Sequence, residues 1–238
     1  MLKTKITAFM GILCLFNGVA LAKYDDKDFY FKAIFALNKN SDVKTIDSDI
    51  NFILNQQANI SPTFGFGLGY YINSSSRIEL VYEHTNIHFA TKSGAFRFSE
   101  NDITQFGIRT IKRRADIRSV MLNGYMNIIE KPIFKVFAGL GLGIGSTKIK
   151  EKAFDRFDSN ISVNGNIITL PTLSSSHINM NKNTFSYALI AGTEFNICKG
   201  FNVELAYSWK YSGKVKNEDS LHNKYQGHNI IAAARFDL

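Results

Sequence analysis

Proline is scarce in this chain: 3 in 238 residues, beside 2 cysteines and 1 tryptophan. So few prolines leave long stretches free to run as unbroken backbone ladders. Two cysteines exclude a disulfide scaffold and a cysteine-rich zinc module. No run of about 20 apolar residues follows the N-terminus, so no spanning helix is expected there. Acidic residues are outnumbered, 20 against 28 basic, for a formal charge of +8. The sequence has no phosphate loop, no Cys/His metal spacing, no dinucleotide fingerprint and no nucleophile elbow, so no cofactor is expected. Abundance lies elsewhere, in 20 Phe, 10 Tyr and 17 Gly, a mixture that favours strands over helices. With 45% apolar residues the chain is expected to fold rather than stay disordered.

The N-terminus reads as an export signal. Lys3 and Lys5 precede a short apolar run from Ile6 to Val19, and Ala20-Leu21-Ala22 is a small-x-small cleavage site. The expected organisation is a signal peptide over 1–22 and one domain over 23–238. Cys14 leaves with the signal, and Cys198 remains without a partner in its chain. An exported chain with no disulfide and no second membrane helix fits a bacterial envelope protein.

Alternation with period 2 recurs along the mature chain. Phe29, Phe31, Ala33, Phe35 and Leu37 oppose Tyr30, Lys32, Ile34 and Ala36. Phe64, Phe66, Leu68, Tyr70 and Ile72 oppose three glycines and Tyr71; Ile78, Leu80 and Tyr82 oppose Glu79, Val81 and Glu83. The stretch from Asp116 to Ile128 is the weakest, with Val120, Leu122, Met126 and Ile128 against Ser119, Met121, Asn123, Tyr125 and Asn127. Four clearer segments start near Phe134, Phe185, Val203 and Ile230. These make eight expected strands of about 9 to 13 residues, the length a tilted strand needs to cross a bilayer.

The connections alternate long and short. Short ones are Asn73 to Ser76, Glu130 to Pro132 and Cys198 to Gly200. Long ones run about Lys39 to Ser61, His88 to Ala115, Lys150 to Lys182 and Ser212 to Gln226. Pro132 falls in a short turn, Pro62 at a strand start and Pro171 in a long loop. The predicted fold is all-β: an eight-stranded antiparallel up-and-down transmembrane β-barrel with four long outer loops and short periplasmic turns. Backbone groups in lipid must be paired, so a sheet there closes on itself.

Lys32, Glu79, Glu83, Lys135, Glu194, Glu204, Lys210 and Arg235 all fall on the less apolar face. Four bases and four acids can neutralise one another in a plugged lumen. Phe134, Val136, Leu140, Leu205, Tyr207 and Phe236 are then expected to face lipid. A soluble ligand-binding barrel would reverse the two faces.

The sequence resembles a known family at several points. FGFGLGYYINSSSRIELVY (Phe64 to Tyr82) is similar to the second hairpin of small opacity-type and OmpA-like surface barrels. MLNGYMNI (Met121 to Ile128), VFAGLGLGIG (Val136 to Gly145), LIAGTEFNI (Leu189 to Ile197) and VELAYSW (Val203 to Trp209) match the later strands in order. Within that group the chain most resembles rickettsial surface antigens and adhesins. The resemblance implies a surface-exposed barrel whose loops contact host proteins. One departure is the ending Arg235-Phe236-Asp237-Leu238, where many such barrels close on Phe or Trp.

Two segments stand out as candidate partner sites. RTIKRRADIR (Arg109 to Arg118) carries Arg109, Lys112, Arg113, Arg114 and Arg118 with a single acid. Such a cluster suits lipid phosphate, a sulfated glycan, an acidic host protein or the cell's own lipopolysaccharide. Ile161 to Ile168 reads as a hairpin around Asn164-Gly165, exposing Ile161, Val163, Ile167 and Ile168. The expected partners are outer-membrane lipid and a host surface or serum protein, with no nucleic acid, on a monomeric barrel. A structural barrel or narrow pore is one alternative. A lipid-modifying enzyme using Ser208 or Ser119 with a histidine is another, and it lacks any triad signature.

Overall fold

The computed structural model describes residues 29–47, 52–100, 103–163, 166–216 and 222–238. The expected export signal over 1–22 lies outside them. Eleven strands run through the described residues: β1 Phe29–Asn40, β2 Val43–Asp47, β3 Phe52–Gln56, β4 Ile60–Tyr71, β5 Ser76–His88, β6 Lys92–Glu100, β7 Ile103–Glu130, β8 Phe134–Val163, β9 Asn166–Cys198, β10 Phe201–Lys216 and β11 His222–Asp237. All pairings are antiparallel. β1 joins β4 and β11, β5 joins β4 and β7, and the order β7-β8-β9-β10-β11 returns to β1. The sheet therefore closes into a ring with no free edge at that level.

The expected tight turns are present. Residues 72–75 link β4 to β5, 131–133 link β7 to β8, and Lys199-Gly200 link β9 to β10. Gly200 sits at φ 81°, a left-handed conformation that the two-residue turn needs and that side chains resist. The connections at the other end differ from expectation. The regions read as long loops are mostly strand. β2 and β3 form a hairpin inside 39–61, β6 pairs with the first part of β7, and β8 and β9 pair without a break up to Val163 and Asn166. Pro171, expected in a loop, lies in β9 opposite Asp158. Before Tyr187 in the chain, β9 pairs only with β8 among the described residues, so a missing N–H there breaks no second ladder.

Sidedness follows the alternation. Leu140, Leu205 and Tyr207 are about half exposed, at 48%, 52% and 49%, and Phe134 and Phe236 are also exposed. Val136 is intermediate. Glu79, Glu194, Glu204 and Arg235 are buried at 1–2%. The apolar face thus points outward and the charged face inward, the reverse of a soluble barrel. On β8 the outward belt runs from Phe134 to Ile144. Ten steps of about 3.3 Å, tilted by about 40°, span about 25 Å of hydrocarbon. Near the turns the belt carries the ring pairs Phe29–Tyr70 and Phe201–Phe236; near its other rim it carries Tyr187 with Trp209 and Tyr211. The bulge between Asn127 and Ile129 explains the imperfect alternation of β7, where Ile128 and Ile129 are both exposed.

Glycines on the inward face make room for rings. Tyr30 lies across the ladder from Gly69, and a Cβ at Gly69 would come within 2.0 Å of its Cζ. Tyr125 covers Gly139 in the same way, with 2.5 Å left for a Cβ. Gly69 and Gly139 are therefore seats for lumen aromatics.

Candidate functional site

Two places in the molecule could carry function: the lumen and the part that rises above the belt. The lumen is layered. Its lower layer is an ion network. Glu204 on β10 accepts from Lys32 at 3.2 Å, Arg77 at 2.9 Å and Arg235 at 3.0 Å. Glu194 on β9 takes Arg77 at 2.8 Å and Arg235 at 2.6 Å. Glu79 pairs with Lys32 at 2.9 Å and accepts the hydroxyls of Tyr30 at 3.0 Å and Tyr125 at 3.2 Å. Three cations thus meet three buried anions, and Arg235 also reaches the partly exposed Asp237 at 3.1 Å. Each cation also sits over an aromatic face: Arg77 over Tyr125 and Phe137, Arg235 over Tyr30 and Tyr71, Lys32 over Tyr125. Higher up, Lys210 pairs with Glu83 and donates to the Ser119 hydroxyl at 2.7 Å.

Seven of the eight lumen charges expected from the sequence therefore join pairs. Lys135 does not: it is half-buried at the turn end, beside Glu194 across the ladder, with no ion pair among the described residues. Arg77 was missed. It stands beside the serine-rich turn, yet it shares parity with Glu79 and Glu83, and that parity was the available signal.

Above the ions comes a polar rung, with Asn38, Asn229 and Ser208 hydrogen-bonded in series. Above that the lumen turns apolar. Val43, Ala58, Ile87, Phe89, Ala115, Ile117, Ile149 and Tyr225 form one cluster, and Leu54, Phe96, Ile111 and Ala153 another. Val43 and Leu54 come from the β2–β3 hairpin, so this outer segment folds into the barrel mouth. A cavity of about 20 Å³ beside Lys32, Tyr125, Glu204 and Lys210 has room for about one water. The described lumen side chains thus pack as a plug of paired charges below and apolar side chains above. The serines considered for catalysis are also occupied here. Ser208 accepts from Asn229 at 3.0 Å and Ser119 from Lys210, with no histidine partner for either among the described residues.

The upper part divides the basic cluster in two. Along β7, odd positions face inward: Arg109 pairs with Asp155 and Arg113 with Glu151, and Arg113 is buried at 4%. These two arginines therefore belong to the inner packing and leave the partner-facing set. Even positions face outward, and Lys112, Arg114 and Arg118 are exposed. Arg114 donates to Asn86 at 2.7 Å. Asp116 binds His84 at 3.0 Å and Arg118 at 3.3 Å. Partial burial raises its carboxyl, but the bonds and charges of His84 and Arg118 outweigh that and hold it below the ordinary carboxylate range. Ile161, Val163, Ile167 and Ile168 lie at the end of the β8–β9 ladder, with Ile161 opposite Ile168. The Asn164-Gly165 turn and these side chains lie outside the described residues.

A closed antiparallel ring, apolar outside and ionic within, defines an integral outer-membrane barrel. A family described as Outer membrane protein beta-barrel domain matches residues 8–236, and the chain belongs to that family. A Rickettsia conorii protein named "Putative adhesin" is 32% identical over 209 residues, covering 82% of this chain and 77% of its own. A Rickettsia rickettsii protein of the same description is 28% identical over 250 residues, covering all of both chains. Among solved structures, Neisserial surface protein A shares 13% identity, with 88% of this chain and 97% of that one covered and a TM-score of 0.47. Ail, the attachment invasion locus protein of Yersinia pestis, shares 17% identity, with 89% and 100% covered and a TM-score of 0.42. The protein resides in the outer membrane, with its belt in lipid.

Proposed function

We propose that this barrel is an adhesin that binds a host surface or serum protein through the part standing above the belt. The observation that carries the reading is the β8–β9 ladder. It continues from Ile144 to Val163, roughly 60 Å along the strand, although closure of the ring needs none of it. On β9, Leu173 to His177 are exposed, and Leu173 reaches 80%. An outward apolar side chain beside an open strand edge is suited to protein contact, because both gain by being covered. The relatives' description as adhesins supports the same reading. The filled lumen weighs against the pore, and the partners of Ser119 and Ser208 weigh against the enzyme.

The test is a shortened ribbon. Replacing residues 153–176 by an Asn-Gly turn joins Lys152 to His177, which already face each other across the ladder. The refolded full barrel should bind host-cell surface protein, and the shortened one should bind at least about ten-fold more weakly, since a hot-spot contact is worth about 2 kcal/mol or more. Equal binding by the two would overturn the adhesin reading.

A further inference from the structure

We propose that the free edge of β9, from Leu173 to Asn181, takes up an extended segment of the host partner as an added β-strand, with acidic and apolar side chains alternating along it. The inference rests on the adhesin reading and specifies how that partner is held.

It starts where two ladders part. β9 and β10 pair from Cys198 up to Tyr187, which stands opposite Tyr211, and no further. The parting is built into β10. Gly213 lies at φ 94°, and the β10–β11 register shifts between Tyr211 and Lys214. The Thr184 hydroxyl donates to the Ser212 carbonyl at 2.7 Å, and a Cβ at Gly213 would come within 2.3 Å of the Thr184 Cβ. This irregularity ends the β9–β10 ladder, and β9 continues with β8 as its one pairing strand among the described residues.

The edge left open is unprotected. Native sheets blunt a free edge with lysine, proline or a bulge, because bare N–H and C=O groups recruit other strands. Pro171 and Lys182 bracket this stretch, but the nine residues from Leu173 to Asn181 include no proline and no Asp, Glu, Lys or Arg. At about 3.3 Å per residue the bare edge is about 30 Å long, and about half of its residues direct N–H and C=O into the open side.

The two faces select the pattern of the incoming strand. On the outward face, one strand back, Lys152, Lys150 and Lys148 of β8 stand opposite His177, Asn179 and Asn181. All three lysines are exposed, with no ion pair among the described residues. An added strand lies two strand spacings from them, about 10 Å, a gap that lysine and glutamate side chains close between them. On the inward face Ile178 and Met180 are only half-buried, although Glu151, opposite Ile178, is buried. An added strand covers both apolar side chains. Acids therefore face outward and apolar residues inward. A second copy of the barrel would bring its own lysines against these three, and like charge opposes that pairing.

The experiment uses the mature barrel refolded in uncharged maltoside detergent. The probe is a fluorescent ten-residue peptide alternating Val and Glu, read by fluorescence polarisation. It should bind, and the same peptide with Gln for Glu should bind at least about five-fold more weakly. Because the side chains choose the face, they also choose which peptide edge meets β9. N-methylation of one alternate set of peptide amides should weaken binding at least about 30-fold, and N-methylation of the other set should leave it nearly unchanged, since several main-chain hydrogen bonds depend on one set alone. Hydrogen exchange should show alternate amides between Leu173 and Asn181 gaining protection. Lys148→Gln/Lys150→Gln should bind the peptide about five-fold more weakly, the modest effect of exposed charge pairs. The control Lys131→Gln/Lys199→Gln, at the turn end, should bind as the parent does. No binding of the peptide, or equal loss from both methylated sets, overturns the proposal. Self-association that protects the same amides without peptide overturns it in favour of a second copy. The adhesin reading fails separately: if shortening the ribbon abolishes host binding while the peptide does not bind, that reading stands and strand addition falls.

Discussion

Replacing Glu204 by Gln lowers the unfolding free energy of the refolded barrel by about 3 to 5 kcal/mol, the usual cost of breaking a buried ion pair from one side. Glu204 is the hub of the lumen. It accepts from Lys32, Arg77 and Arg235, and all four side chains are 2–4% exposed. A neutral amide keeps the shape but removes the one anion that all three cations share, leaving Lys32, Arg77 and Arg235 with two buried anions, Glu79 and Glu194, and the partly exposed Asp237. The expected readout is the urea midpoint of the barrel in vesicles. Adding Lys32→Met should restore part of the loss, since it leaves two fully buried cations with two fully buried anions, and that coupling separates electrostatics from simple misfit. A Glu204→Gln midpoint equal to the parent's would mean that the network is hydrated and carries little.

The second large effect lies on the opposite face. Leu140→Arg should cost about 2 to 4 kcal/mol, because a cation at mid-belt must leave water for hydrocarbon. Leu140 pairs with Gly124 on β7 and Leu189 on β9, in the middle of the outward apolar run of β8. The comparison is Asn181→Arg, outward on β9 above the belt, where the same change costs about 0 to 1 kcal/mol. Equal costs at the two positions would place the membrane elsewhere.

The sequence shows the barrel wall because two environments act on alternate residues. Lipid selects Phe, Leu, Val and Tyr at one parity; the lumen selects Gly, Tyr and paired charges at the other. That is why Lys32, Glu79, Glu194, Glu204 and Arg235 can be read as a network before any coordinates. The upper strands hide for a related reason. At the edge of the belt the sense of the pattern inverts. On β7, Val120 and Leu122 are apolar and outward, while Ile111, Ala115 and Ile117 are apolar and inward, with Lys112, Arg114 and Arg118 in water. Period 2 continues unbroken, but a search with one fixed sense stops at the membrane surface and reads the rest as loop. The same inversion explains why RTIKRRADIR looks like a single basic cluster although its charges lie on two faces. The β2–β3 hairpin filling the mouth is not legible at all, because its burial depends on partners from β5, β7, β8 and β11 that are distant in sequence.

The central claim is the sidedness of the wall, and β11 tests it most directly. Spin labels are placed singly from Ile230 to Ala234 in a Cys198→Ser background, with the barrel refolded in lipid vesicles. Here Ile230 is outward at 69% exposure, while Ala233 is buried among Ile34 and Val81. Labels at Ile230, Ala232 and Ala234 should collide with oxygen dissolved in the bilayer, and those at Ile231 and Ala233 should not. Collision at the odd positions, with the even ones shielded, would contradict the account.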